Sequence, residues 1–271
     1  MAAHAKILPA VCTVGMVTYP IPMRAHIQDM KTYEALCLYV DRFFLIVWSP
    51  DHNFYLQHHK RIIGLYVPKM GGVVLKYFIF LIAAIYLGFI LHRRYGITLF
   101  QASDPLGGGL AGAALKLLGF GRVLVHLQNQ TFNLPSTSFS PLKAMLMRLI
   151  SLVTCSFADL VRCVSKEIML EATSAGISIN KLRIVPGRCD TDLFSKERWT
   201  DEARILKEKL ELGDKKIIAT VGNLIPTKGI QYLLEAIPPL IRRHPSLTWL
   251  IIGEGPLKDS LAAKAIEIGV S

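Results

Sequence analysis

The 271-residue sequence predicts an α/β protein with a mostly parallel sheet. Short apolar runs alternate with helix-spaced segments from Ala10 to Gly269, the pattern of repeated strand–helix–strand units. A composition of 52 % hydrophobic and 19 % charged residues describes a folded chain and excludes a disordered one. The alternation breaks over 191–214, where 12 of 24 residues are charged, and then restarts. The chain therefore divides into a domain over 1–190, a linker with an exposed helix over 191–214, and a second domain over 215–271.

Residues 10–17 read as a buried strand, closed by a proline-marked turn at 19–22. Helical spacing follows at 30–40 (Met30, Tyr33, Leu36, Cys37, Val40), then strands at 42–48 and 61–67. The stretch 71–91 is the most apolar. Its uncharged part, 77–91, rises roughly 22 Å as a helix, short of a hydrocarbon core of about 30 Å. A span here would also split one sheet across a bilayer. A buried core helix is the first reading, with a helix lying in a membrane interface as the alternative.

Residues 97–101 form the next strand, and 106–121 ("LGGGLAGAALKLLGFG") a helix whose small residues permit close packing on a sheet. Gly107-Gly108-Gly109 lacks the G-x-G-x-x-G spacing of a dinucleotide site, so close packing is the reason adopted for those glycines. The strand 122–127 delivers His126, Gln128, Asn129 and Gln130 to its C-terminal end, where open α/β sheets collect ligands. An amphipathic helix over 141–157, a strand over 160–164, a helix over 166–175 capped by Ser165 and stopped by Gly176, and a strand over 181–185 complete the first domain.

Past the linker, 217–256 read as strand, turn, helix, strand and a Gly-Glu-Gly-Pro turn. Ile230, Leu233, Leu234, Ile237, Leu240 and Ile241 share one helical face. Pro238-Pro239 should bend or shorten that helix, and Pro256 opens a last one over 257–268. At 221–229 the strand ends in Gly222 and Lys228-Gly229 opens the helix. Backbone N–H groups with an ammonium beside them suit a diphosphate. From geometry alone a plain turn with a solvated lysine is the favoured reading.

The net charge of +11 is uneven: residues 1–135 hold 12 Lys/Arg against 5 Asp/Glu, and 136–271 hold 19 against 15. Such a balance attracts phosphates, whether of nucleic acid, anionic lipid or a small substrate. No dense basic run with interleaved aromatics occurs, which argues against nucleic acid. The five scattered cysteines form no C-x-x-C pair and fit a reducing compartment. The N-terminus does not read as a signal peptide, so a cytoplasmic location is expected.

Four segments, "ADLVRCVS" (158–165), "KLRIVPGRCDTDLF" (181–194), the turn at 221–229 and "LIIGEGP" (250–256), stand in an order and spacing that resemble the retaining, nucleotide-sugar-dependent glycosyltransferases of the GT-B fold, glycosyl transferases group 1. The resemblance covers 158–269. It implies two Rossmann-like domains, the N-terminal one for the acceptor and the C-terminal one for a nucleoside-diphosphate sugar. It also implies transfer with retention, without metal or other cofactor, in polysaccharide or glycolipid biosynthesis. By the same resemblance Lys228 contacts the donor diphosphate, Gly222 and Gly229 shape its turn, Glu254 lies near base and ribose, and His126 stands by the reacting sugar. Asn223 occupies a position where the family has an arginine, and Arg24-Ala25-His26 stands where it has paired glycines. Asp190-Thr191-Asp192 invites a metal reading, but its context implies a hinge role instead. The family's E-x7-E pair is expected beyond Ser271, so the second domain is expected to be incomplete and the chain a fragment with little activity alone. A lipid or glycan acceptor and peripheral contact with the cytoplasmic membrane face are further expectations. Two other classes stay open: a non-catalytic relic that binds an anionic ligand, favoured by Asn223, and a GT-B-fold sugar-nucleotide epimerase, whose signatures do not appear.

Overall fold

The computed structural model describes residues 10–18, 33–50, 53–72, 74–133, 140–187, 191–195 and 197–270. They fall into two compact units, Met1–Cys189 and Asp190–Ser271. The expected turn at 19–22, the stretch Arg24-Ala25-His26 and Asp190 lie outside the described residues.

The first unit is built on eight strands: β1 (Val11–Thr18), β2 (Phe43–Trp48), β3 (Tyr55–His59), β4 (Ile62–Val67), β5 (Leu99–Ala102), β6 (Arg122–Leu127), β7 (Leu160–Cys163) and β8 (Leu182–Ile184). Their order across the sheet is β3-β4-β2-β1-β5-β6-β7-β8. Every neighbouring pair is parallel except β3 with β4. The sequence reading lacked β3. "YLQHH" carries no buried side chain, because it is the half-exposed edge of a hairpin turned at Lys60, whose φ is 53°.

Helices α1 (Leu75–Tyr95), α2 (Gly107–Leu117), α3 (Pro141–Phe157) and α4 (Lys166–Ser174) connect the parallel strands. Strand β2 shows why a continuous apolar run belongs in the centre of such a sheet. Its Phe44, Ile46 and Trp48 pack with Phe80, Ala84 and Leu91 of α1. Its Phe43, Leu45 and Val47 pack on the opposite face with Cys37 and Val40. The helix expected over 30–40 is helical at 33–36 and turns at 37–39, with 30–32 outside the described residues.

Helix α2 sits low on the sheet because its glycines leave room. A Cβ on Gly108 would land on the Val14 carbonyl oxygen, and one on Gly112 would lie 3.0 Å from Val123. The helix ends at Leu117, earlier than the expected 121, because Gly119 (φ 81°) and Gly121 (φ 153°) turn the chain back into β6.

The expectation of a buried core helix at 71–91 needs correction. Helix α1 runs for 21 residues and is long and apolar enough, by length and composition, to cross a membrane. Only Phe80, Ala84, Gly88 and Leu91 are buried, against the sheet and α2. The outward face, with Phe78, Ile82 and Tyr86, is exposed.

In the second unit, β9 (Lys216–Val221) and β10 (Leu247–Ile252) pair in parallel from Lys216↔Leu247 to Val221↔Ile252. Helices α5 (Thr200–Lys209), α6 (Ile230–Arg243) and α7 (Lys258–Glu267) accompany them. The core is Leu224, Ile230, Leu234, Ile237 and Leu261, and Trp249 Nε1 donates to Thr220 Oγ1 at 2.8 Å. The prolines at 238 and 239 do not shorten α6, which continues through them to Arg243. Burial of Ile230, Leu234 and Ile237 along one face offsets the two backbone bonds that the prolines cannot make.

Candidate active site

The first unit gathers its polar side chains at the C-terminal ends of its strands. Along β6, Val123, Val125 and Leu127 enter the core that also holds Cys155 and Ala158. Side-chain alternation turns His126 to the other face of the sheet. His126 pairs in register with Arg162 of β7, and that arginine has three partners. Its Nε donates to Val185 O at 2.8 Å, one terminal nitrogen donates to Pro186 O at 2.8 Å, and the other lies 3.2 Å from His126 Nδ1.

A guanidinium only donates, so Nδ1 must accept and the imidazole proton resides on Nε2. Burial, then the positive charge of Arg162, pushes the His126 pKa down from 6.5 to about 4. His126 is thus a neutral imidazole at neutral pH that offers Nε2–H. Among the described residues Nε2 is buried without a partner, as are Ser103 Oγ and Thr13 Oγ1. Ser103 follows β5, the strand beside β6, and its N–H donates to Val14 O of β1 at 2.9 Å. Buried polar atoms are normally satisfied, which sets these three apart. Because Nδ1 is engaged and Nε2 protonated, His126 is equipped to donate a hydrogen bond, not to abstract a proton.

Gln128, Asn129 and Gln130 follow His126 and are exposed. The next three residues are held by one oxygen: Glu171 Oε1 accepts the N–H groups of Thr131, Phe132 and Asn133 at 3.1, 2.7 and 2.6 Å. Asp104 Oδ1 accepts from Leu106 N and Gly108 N, closing the start of α2.

In the second unit the turns after β9 and β10 are joined backbone to backbone. Gly222 N donates to Ile252 O, Leu224 N to Glu254 O and Leu257 N to Leu224 O, at 3.0, 2.9 and 3.1 Å. A Cβ on Gly253 would strike the Gly222 carbonyl, and one on Gly255 would lie 2.5 Å from Leu224 O. Lys228 ends a single turn, Pro226–Lys228, with its side chain exposed and in no ion pair among the described residues. Gly229, at φ 68°, then starts α6 without a side-chain cap; its carbonyl accepts from Tyr232 N and Leu233 N, and the N–H groups of Ile230 and Gln231 have no carbonyl of the preceding turn. Asn223 is exposed, and Glu254 pairs with Lys258 at 2.8 Å on the surface. The structure therefore brings Gly222, Asn223, Lys228, Gly229 and Glu254 to one end of the β9–β10 pair, while His126 stands in the first unit.

Residues 201–271 match the family model of glycosyl transferases group 1. Over the whole chain the fold is similar to that of Anabaena Alr3699/HepE solved in complex with UDP, with a TM-score of 0.67 at 15 % identity, covering 96 % of this chain and 66 % of that one. The fold is of the GT-B type. Among the curated relatives of the chain is the GDP-mannose-dependent alpha-(1-6)-phosphatidylinositol monomannoside mannosyltransferase of Mycolicibacterium smegmatis, 32 % identical over 114 residues. The enzyme of the same name from Mycobacterium tuberculosis H37Rv is 29 % identical over 173 residues. Those alignments cover 42 % and 64 % of this chain, which spans only 29 % and 42 % of the two relatives' lengths.

The segment matched by the family model contains Gly222, Asn223, Lys228, Gly229 and Glu254; His126 lies before it. Two positioning residues, Arg162 and Glu171, escaped the sequence reading. An arginine inside the apolar strand "LVRC" is a visible signal for the first. Glu171 acts 38 to 40 residues from its partners and leaves no local trace.

Proposed function

We propose that the parent protein is a retaining glycosyltransferase that moves a sugar from a nucleoside-diphosphate donor to an acceptor carried on a lipid. The observation that supports this most is the Gly222–Gly229 turn. It lies within the segment matched by the family model and forms an open helix start with the Lys228 ammonium beside it. There the leaving diphosphate would gain negative charge as the sugar departs, and preorganised donors at such a point contribute several kcal/mol. No metal or cofactor enters the proposal, since Lys228 and the start of α6 supply the positive field. His126 Nε2–H would hold a hydroxyl of the reacting sugar. The lipid acceptor is drawn from the printed names of the mannosyltransferase relatives, and a peripheral, cytoplasmic location goes with it. The printed names carry GDP-mannose and UDP, so the base of the donor is left to experiment.

Titration calorimetry with UDP, GDP and their sugar conjugates tests the donor site. Binding of at least one is expected, weakened by about ten- to a hundredfold in Lys228→Ala, the range for a lost hydrogen bond to a charged group. A panel of labelled nucleotide sugars with lipid-extract acceptors then reads transfer and the configuration of the product. A second reading, a non-catalytic protein holding an anionic ligand, draws on Asn223. It would show nucleotide binding with no transfer or hydrolysis from any donor. Absence of nucleotide binding would refute both readings.

A further inference from the structure

The helix layer of the first unit carries a surface that the sugar chemistry does not use. From His52 to Ala158 the chain has ten Lys/Arg and a single acidic residue, Asp104. Helices α1, α2 and α3 contain no Asp or Glu at all, and α2 packs against both its neighbours. On α1, Phe78, Ile82, Tyr86 and Phe89 follow at helical spacing and are exposed, Ile82 by 66 %. On α3, Leu142, Met145, Leu149 and Val153 repeat the pattern, with Leu142 71 % exposed. Each stripe is the outward face of a helix whose inner face is fixed, by Phe80 and Ala84 in α1 and by Thr154 and Cys155 in α3.

Cations frame the apolar faces. The ammonium groups of Lys69 and Lys76 lie 5.4 and 5.9 Å from the Trp48 ring centre at the start of α1, and Arg93 and Arg94 stand at its end. Arg148 is exposed on α3. Soluble proteins rarely expose contiguous apolar area of this kind, and a protein partner would normally be met with charges of both signs. Apolar and aromatic side chains framed mainly by cations, with Asp159 held by Lys116 at 2.7 Å, complement a plane of anionic headgroups over acyl chains.

We propose that the outward face of α1 and α3 docks on a bilayer containing anionic lipid, with both helices lying in the interface and neither crossing it. The burial of Phe80, Ala84 and Leu91 between α1 and the sheet fixes that orientation. Docking needs no donor and stands independently of the transfer reaction. The start of α1 touches Trp48, the last residue of β2, through Tyr77 at 5.4 Å. It therefore lies at the strand end where β6 presents His126, and a lipid-borne acceptor would reach that end from the docked face.

Co-sedimentation of the full chain with phosphatidylcholine vesicles, with and without about one-third phosphatidylglycerol, tests the proposal without any sugar nucleotide. Binding is expected to the anionic vesicles, to weaken with added salt and to be far weaker on phosphatidylcholine alone. Phe78→Glu with Ile82→Glu, and separately Leu146→Glu with Leu149→Glu, should each lower binding about tenfold or more with an unchanged melting curve, since all four positions are exposed. Equal binding by wild type and both variants would overturn the proposal. So would a failure of the wild type to bind anionic vesicles. A wild-type dimer that Phe78→Glu/Ile82→Glu converts to monomer, with vesicle binding unchanged, would also overturn it and assign the face to a second copy.

Discussion

Replacing Arg162 by Met removes the charge that faces His126 while keeping an unbranched side chain on β7. The fall of the His126 pKa from 6.5 to about 4 is worth about 3 kcal/mol at 1.36 kcal/mol per pH unit. Burial is the larger of its two causes and the Arg162 charge the smaller, so the guanidinium supplies the lesser part of the fall. The pKa in Arg162→Met should therefore rise but stay below 6.5, because the ring remains buried. Nitrogen NMR of histidine-labelled protein, with His126→Gln to assign the signal, reads both the pKa and the tautomer. In the wild type the proton should sit on Nε2; in the variant Nδ1 loses its donor and the tautomers should mix. A wild-type pKa near 6.5, or a proton on Nδ1, would refute the argument that Arg162 sets the state of the imidazole.

The same histidine gives a pH dependence of stability. Its folded pKa lies below the unfolded one, so the unfolded chain binds the extra proton; stability is fully present above about pH 6.5 and is lost as pH falls towards 4, by about 3 kcal/mol in all. Urea titrations of wild type and His126→Gln across that window should show the slope only in the wild type. Gly108→Ala should destabilise by about 1–3 kcal/mol, because the added methyl meets the fixed Val14 carbonyl. Gly112→Ala, meeting only the Val123 side chain at 3.0 Å, should cost less, and thermal melts rank the two. Glu171→Ala leaves three N–H groups without their acceptor and should raise amide exchange at Thr131, Phe132 and Asn133; Glu171→Gln keeps an acceptor and should restore most of the protection.

Strand β2 was legible because a parallel strand covered on both faces is an uninterrupted apolar word. The glycines of α2 were legible too, since a helix rich in them has little use except close approach. Strand β3 was not, because its Gln57, His58 and His59 face an edge where burial imposes no pattern. The prolines of α6 misled, since local propensity is overridden when one face of a helix is held by Ile230, Leu234 and Ile237. Helix α1 showed its apolarity plainly in sequence. Which side of it lacks a cover depends on where the sheet and α2 lie, and that is tertiary information. At the site, the turn glycines and Lys228 announced themselves by spacing, whereas the state of His126 follows from Arg162, 36 residues away.

The grip of Glu171 on three consecutive amides also says where this scaffold can be re-engineered. Thr131, Phe132 and Asn133 are fixed through their backbone, so inserting or deleting residues there would dismantle the anchor for the whole mouth. Gln128, Asn129 and Gln130 project from the stretch between that anchor and β6, with their side chains exposed. A randomised library at those three codons would vary the exposed side chains while the frame stays put; over the next three, only proline would remove a bond to Glu171, and Phe132 alone is buried.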